Sequence, residues 1–389
     1  MGRGSKPTIR DVAAKAGVSL TTVSYVLSGR VGGTTRISKA TEDKVRAAVR
    51  ELGYVANRAA RGMRRGKTDM VAVSVGDLEW SWDRALAAAA ARILPQHGYQ
   101  PVILLGNLAW RDFMLAGGAD GVILGYLDET TKQDPTMAEL ARRGVPQVVV
   151  SQTLQPHGFD VLAPEPEQGF ADAMAYLTGR HARIGCLRRG EEGSERTHPS
   201  RYSRYVQGLK RAGLRVDQAL VRSSLHQRRR AHHMALELLG LDDPPTALLC
   251  TDDMEALAAT RAATRLGIRI PEDLEIIGAG NSTEGQEADP PLSTVGPEPI
   301  FDEVVHMLIR RLAQSGDGAG NGGVGVGVGN GAGSGDASDG AGNAAGSVDD
   351  DGGHGVAEGE RRPAPWRLHH RGTTVAGRGW DAVADMPGP

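Results

Sequence analysis

The sequence predicts a small all-helical head, residues 1–55, joined by a short linker to an α/β body that folds as two lobes. Three observations carry this. Residues 1–68 hold 15 Lys and Arg against 4 Asp and Glu, a net of +11, whereas the remainder carries −13. The head shows helix caps and a glycine turn at close spacing, and the body alternates short apolar runs with long helical stretches. A basic head on an acidic body is the electrostatic footprint of a nucleic-acid-binding module.

The first helix opens at Thr8, where Thr8 and Asp11 have the spacing of a capping box. Ile9, Val12, Ala13 and Ala16 then recur at helical spacing and form one apolar face. Gly17 stops the helix, because glycine enters a left-handed turn without steric cost. Ser19 caps the second helix, LTTVSYVLS, which buries Val23, Val26 and Leu27 and turns Leu20, Thr21, Thr22, Ser24 and Tyr25 outward. Ser38 caps a third helix over residues 39–52, whose Val45, Ala48, Val49 and Leu52 close a small core. Helix, short glycine turn, helix is the geometry that lays a second helix in the major groove of DNA.

From Val71 onward the apolar runs are VAVSV, PVILL, DGVIL, PQVVV, RIGCL, TALLC and LEIIG. Between them lie stretches such as RALAAAAARIL and MEALAATRAATRLG with helical period. Buried strands alternating with helices make a parallel sheet covered on both faces, wound by right-handed crossovers. Seven such strands suit two lobes better than one small sheet, and a cleft between lobes is where a small ligand binds.

That architecture alone fits a dehydrogenase, a kinase or a binding protein. A strand-linked GxGxxG, a GxxxxGK[ST] and a GxSxG are all missing, and GVGVGVGNG is low complexity, so an enzyme is not expected. His232–His233 and His369–His370 lack the spaced partners of a metal site and read as surface histidines; neither a metal nor a cofactor is expected. No run approaches the roughly 18 apolar residues of a membrane helix, and the start lacks the apolar core of a secretory signal. Cys186 and Cys250 sit in apolar runs as buried thiols. A cytoplasmic protein is expected.

The head becomes specific in the phrases TIRDVAAKAGVSLTTVSYVLSG and RISKATEDKVRAAVRELGYVANRAARGM. They resemble the head of the lactose-repressor (LacI/GalR) family almost position for position. The resemblance implies a lambda-repressor-like helix-turn-helix whose second helix reads bases through Leu20, Thr21 and Tyr25. Leucine meets a thymine methyl and threonine a base edge, while Tyr25 forgoes the bidentate guanine contact of an arginine. Thr8, Ser19, Thr22, Ser24 and Arg36 would hold phosphates. It further implies a hinge helix over residues 56–68 that forms on DNA, with Met63 wedged into a minor-groove step and Asn57, Arg58 and Arg61 on the backbone.

The body resembles the type I periplasmic-binding-protein-like core of the same family in GADGVIL, RRGVPQVVV, GRHARIG, RYSRYVQGLKRAGL, LLCTDDMEAL, RLGIRIPEDLEIIG and PPLSTV, with PAPWRLHHRGTTV similar to its final strand. The resemblance implies an effector and dimerisation domain of residues 69–314 and 363–389, with the chain crossing between lobes near 165, near 290 and after 315. It places Arg201, Thr197, Asp252, Asp253 and Trp82 around the ligand, with Ser151 and Gly280 where several sugar-binding members have aspartates. The connection from Asn107 to Asp120 is shorter than the family's, implying a truncated helix. Residues 315–362, rich in Gly, Asn and Asp, read as a disordered insertion. The implied protein is a homodimeric repressor on a palindromic operator, tuned by a small-molecule effector. That effector is expected to be a sugar, with a nucleobase or a phosphorylated metabolite as alternatives. A transporter's solute-binding protein shares the body but has no use for a basic head.

Overall fold

A computed structural model describes residues 7–28, 37–54, 66–106, 108–125, 134–190, 200–225, 227–317 and 359–377. The chain parts into two compact units, Met1–Thr68 and Asp69–Pro389.

The first unit holds three helices: α1 (Ile9–Ala16), α2 (Leu20–Ser28) and α3 (Lys39–Leu52). Each begins where a side chain satisfies a helix-start N–H that has no intrahelical acceptor. Thr8 Oγ1 accepts from the Asp11 N–H at 3.4 Å while the Asp11 carboxylate accepts from the Thr8 N–H at 2.7 Å. Ser19 Oγ accepts from the Thr22 N–H at 3.1 Å, and Ser38 Oγ from the Thr41 N–H at 3.2 Å. Gly17 ends α1 at φ +65°, a left-handed conformation that a Cβ would strain. Val12, Ala13, Val23, Val45 and Ala48 make the buried core, flanked by Val26, Leu27, Val49 and Leu52.

The second unit alternates strands and helices through two lobes. Lobe 1 begins with β1 (Met70–Val75), α4 (Ser81–Ile93), β2 (Gln100–Leu105), α5 (Ala109–Leu115) and β3 (Gly121–Leu124). It continues through α6 (Pro135–Arg142), β4 (Gln147–Val150) and β5 (Asp160–Glu165). Helix α5 has only 7 residues, the short helix expected between Asn107 and Asp120. Lobe 2 comprises α7 (Glu167–Thr178), β6 (Ile184–Arg188), α8 (Arg201–Arg211), β7 (Val221–Ser223), α9 (Arg228–Leu239) and β8 (Ala247–Cys250). It ends with α10 (Asp253–Leu266), β9 (Glu275–Ala279), α11 (Thr283–Gln286) and β10 (Ser293–Pro297). Helix α12 (Phe301–Asp317) then returns to pack on α4 and β3, and β11 (Arg361–His369) closes the described fold.

The strand order is β2-β1-β3-β4-β5-β11-β10-β9-β8-β6-β7. Strand β11 joins the lobes: Arg361–Pro365 pair in parallel with β5, and Trp366–His369 pair antiparallel with β10. All other pairs are parallel, and the C-terminal ends of such strands are where open α/β sheets place their ligand-binding loops.

Several expectations are corrected. The apolar runs missed β5, β7, β10 and β11: β5 is interrupted by Pro164, β7 is only 3 residues long, and β10 (STVGP) and β11 (RRPAPWRLH) carry few large apolar residues. The crossing expected near 290 falls at 298–300, because β10 still pairs within lobe 2. The edges expected at 315 and 362 lie inside elements, since α12 reaches Asp317 and β11 begins at Arg361. Residues 318–358 lie outside the described residues. His369 and His370 are half-buried and bond Gly296 O (3.1 Å) and Thr374 Oγ1 (3.1 Å), so they are not simply surface histidines. Cys186 and Cys250 are both buried and free.

Candidate functional site

Helix α2 offers the first site. Its Val23 is fully buried in the three-helix core, which fixes the helix's rotation and leaves Leu20 44% and Tyr25 46% exposed. Thr21 and Ser24 are exposed beside them. Ser19 and Thr22 are tied together, hydroxyl to hydroxyl, at 2.9 Å. Leu20, Thr21, Ser24 and Tyr25 thus share the solvent-facing side of α2. Arg36, Asn57, Arg58, Arg61 and Met63 lie outside the described residues.

The second site is the cleft of the body. Arg201 starts α8, which Ser200 caps by accepting from the Ser203 N–H at 3.0 Å. The Arg201 Nη1 donates to the carbonyls of Thr251 (2.7 Å) and Ala279 (3.2 Å), at the ends of β8 and β9. Its guanidinium lies 4.8 Å over the ring of Trp366 and 6.0 Å from that of Trp80. Burial pulls its pKa down, opposed by Asp252 and Asp253.

Asp252 caps α10 through Oδ1, which accepts from the Met254 N–H at 2.9 Å. Its Oδ2 is buried without a hydrogen-bond partner among the described residues, 3.8 Å from Arg201 Nη1 and 3.9 Å from Arg189 Nη1. Glu255, one turn along α10, accepts from Ser224 Oγ at 2.7 Å. Burial, with Asp252 adding to it, pushes the Glu255 pKa up to about 7. The wall is therefore two carboxylates and two guanidiniums, with one carboxylate close to neutrality.

Other expected ligand residues are placed differently. Asp253 is fully buried and committed to the fold: Oδ1 accepts from Thr294 Oγ1 at 2.6 Å and Oδ2 from the Ser282 N–H at 2.7 Å. Trp82 is buried in the core, the residue 6% exposed and its ring 4.9 Å from Phe301 and 6.0 Å from Trp366, the ring that Arg201 covers. Ser151 is buried at the end of β4, where Oγ accepts from the N–H groups of Thr153 (3.3 Å) and Leu154 (3.2 Å) and closes its own turn. Gly280 has φ +139°, and a Cβ there would lie 3.5 Å from Asp253 Oδ2. An aspartate at 280 would thus meet both backbone strain and a like charge. Thr197 lies outside the described residues.

Sequence reasoning missed Trp80 and Arg189. Arg189 follows β6, pairs with Asp77 at 3.1 Å and covers the Trp80 ring at 5.5 Å. The available signal was RIGCLRRG, two arginines immediately after a parallel strand, where ligand-facing loops begin.

Comparison with known proteins adds to this geometry. Residues 8–57 match the model for bacterial regulatory proteins of the lacI family, and residues 173–322 match a periplasmic binding protein-like domain. The HTH-type transcriptional repressor CytR of Escherichia coli strain K12 is 30% identical over 327 residues, 81% of this chain and 92% of that protein. The chain belongs to the lacI family. The HTH-type transcriptional regulator CelR of Thermobifida fusca is another relative, 29% identical over 337 residues, 80% of this chain and 94% of its own. Among solved structures, the lac repressor dimer bound to operator and the anti-inducer ONPF superposes with a TM-score of 0.64 at 22% identity, covering 95% of this chain and all of that one. The CelR–cellobiose complex superposes with a TM-score of 0.53 at 24% identity, covering 94% and 99%. These likenesses establish the two-part fold, and family membership makes the protein a DNA-binding regulator of transcription. Among the described residues, no cluster of His, Cys, Asp and Glu could hold a metal, and no helix is long and apolar enough to cross a membrane.

Proposed function

We propose that the protein is a repressor that binds a palindromic operator as a homodimer and changes its DNA affinity when a sugar occupies the cleft of its body. The observation that carries the DNA half is the outward face of α2, where Leu20, Thr21, Ser24 and Tyr25 stand exposed on a helix already fixed by its core. Leu20, Thr21 and Tyr25 would contact bases, with Thr8, Ser19, Thr22, Ser24 and Arg36 on phosphates. Two-fold symmetry would set two such helices on half-sites, and Met63 would wedge at the operator's centre.

The effector half is supported by the buried Asp252 Oδ2, which lies just beyond hydrogen-bond reach of two guanidiniums. A sugar hydroxyl donates to a carboxylate and accepts from an arginine at once, so it suits that gap. The relative solved with cellobiose belongs to the same family and shares the fold. Control then follows from linkage: the sugar must bind one arrangement of the lobes better than the other, and DNA affinity shifts by that difference.

Selection of bound DNA from a random pool by the full-length protein tests the reading. Enrichment of a palindrome with a central pyrimidine–purine step is expected, and Met63→Ala should weaken binding to it far more than to random DNA. Salt-sensitive binding with no enriched sequence would overturn it.

A further inference from the structure

The segment that follows β1 reaches across the cleft. Asp77, Glu79 and Arg84 belong to lobe 1, and each meets an opposite charge on a different element of lobe 2. Asp77 Oδ2 lies 3.1 Å from Arg189 Nη2, just after β6. Glu79 Oε2 lies 2.7 Å from Arg228 Nε, at the start of α9. Arg84 pairs with Glu284 of α11, and its Nη2 lies 4.0 Å from Met254 Sδ. The signs along the segment, two negative and one positive, are met by two positive and one negative. Such a pattern fixes register as well as attraction.

The segment is also tied to itself. Arg84 Nη1 donates to the carbonyls of Leu78 (3.0 Å) and Glu79 (2.9 Å), and the Trp80 N–H donates to Asp77 Oδ1 (2.8 Å). The buried Asp83 Oδ2 accepts from the N–H groups of Gly76 (2.7 Å) and Asp77 (3.0 Å). These ties make a stiff arm, so its three bridges form or break together.

We propose that residues 77–84 are an electrostatic strap that holds the two lobes closed before any effector binds, with Arg189 as its pivot. Arg189 is the pivot because it touches both sides: Asp77 and the Trp80 ring in lobe 1, and Asp252 at 3.9 Å in lobe 2. A ligand that accepts from Arg189 as it donates to Asp252 competes with Asp77 for that guanidinium and loosens the strap. That coupling rests on the effector reading above, whereas the strap itself does not. The bridges differ in strength. Glu79 and Arg228 are 63% and 49% exposed and are readily screened, while Arg189 is only 13% exposed and is shielded from salt.

The test measures the distance between lobes in full-length protein without DNA or ligand. Cysteines at Arg142 of α6 and Arg265 of α10, both exposed, carry spin labels, while native Cys186 and Cys250 are buried. Labelled chains are diluted with unlabelled protein so that only distances within one chain are read by double electron–electron resonance. A dominant short distance is expected for the unsubstituted strap. Glu79→Arg and Arg228→Glu should each enlarge the long-distance population by roughly two- to fivefold, the span expected of an exposed ion pair. The double swap Glu79→Arg/Arg228→Glu should restore the starting distribution. About 1 M salt, where the screening length is about 3 Å, should open the lobes as the single variants do. An unchanged distribution in the single variants, or a swap that fails to restore it, overturns the strap. Because no DNA is present, either result leaves the repressor reading to its own test.

Discussion

In the head, each helix start is closed by a side chain three residues from the amide it satisfies: Thr8 on Asp11, Ser19 on Thr22, Ser38 on Thr41. In the cleft of the body the fixing partners are far away along the chain. Asp253 is held by Ser282 and Thr294, 29 and 41 residues on, and Asp77 by Arg189, 112 residues on. The difference teaches where polar side chains are free to work. The head uses small caps on its own helices and leaves Leu20, Thr21, Ser24 and Tyr25 exposed on α2. The body uses many of its charged groups to hold strand ends together, so in the cleft a carboxylate's chemistry does not reveal whether it serves the fold or a ligand.

Asp253 gives the largest expected effect on that contrast. Asp253→Ala removes the one acceptor that the Ser282 N–H and the Thr294 hydroxyl have among the described residues, inside a fully buried site. Leaving two buried donors unpaired should cost about 2–6 kcal/mol. Urea unfolding followed by a probe in the body should show an earlier transition, while Asp253→Asn, which keeps an acceptor oxygen, should recover part of it. A variant that unfolds normally but no longer responds to effector would make Asp253 a ligand residue and break the contrast.

The same contrast explains what was legible in the sequence. The three helices of the head could be placed from caps, glycine and apolar spacing, because those signals act within one or two turns. In the body, β1 and β8 announced themselves as VAVSV and TALLC, but β7 has 3 residues and β11 buries little beyond Ala364 and Trp366. Strand β11 was found only through resemblance, since its partners β5 and β10 lie far back along the chain. Arg201 was likewise placed by resemblance. Trp82 is placed at the ligand by resemblance too, and only packing shows Phe301 and Trp366 against its ring. Arg189 had no local signal beyond its strand, because its meaning comes from Asp77 across the cleft.

Asp83 sharpens the contrast by a smaller amount. Burial raises its pKa to about 6, against the two backbone N–H groups that favour the carboxylate. The folded chain therefore keeps a proton that the unfolded chain releases near pH 4. Between about pH 4 and 6 this group's contribution to stability falls as pH rises, and above that window the loss is complete. A shift of about two units amounts to about 3 kcal/mol at most. Asp83→Asn should flatten this slope and leave a net gain of about 1 kcal/mol at pH 7, after its weaker hydrogen bonds to Gly76 and Asp77 are counted. Urea midpoints at pH 5 and pH 7 check it. An identical pH slope in both proteins would show that Asp83 is ionised in the fold, and that the arm after β1 is held differently.

The smallest effect belongs to the head and separates a cap from a contact. Thr8 closes α1 through a capping box, and it also stands where a phosphate would be held. As a cap alone, Thr8→Ala should cost about 1 kcal/mol. Amide exchange in α1 should quicken accordingly, with no change in the body. Thr8→Ser should restore exchange, because the hydroxyl rather than the methyl group makes the bond. Operator affinity then decides the second role. If Thr8→Ala weakens DNA binding only as far as it destabilises α1, the residue is purely a cap and phosphate holding falls to Ser19, Thr22, Ser24 and Arg36. If affinity falls well beyond that, one hydroxyl serves both fold and partner, and the head is as doubly committed as the cleft of the body.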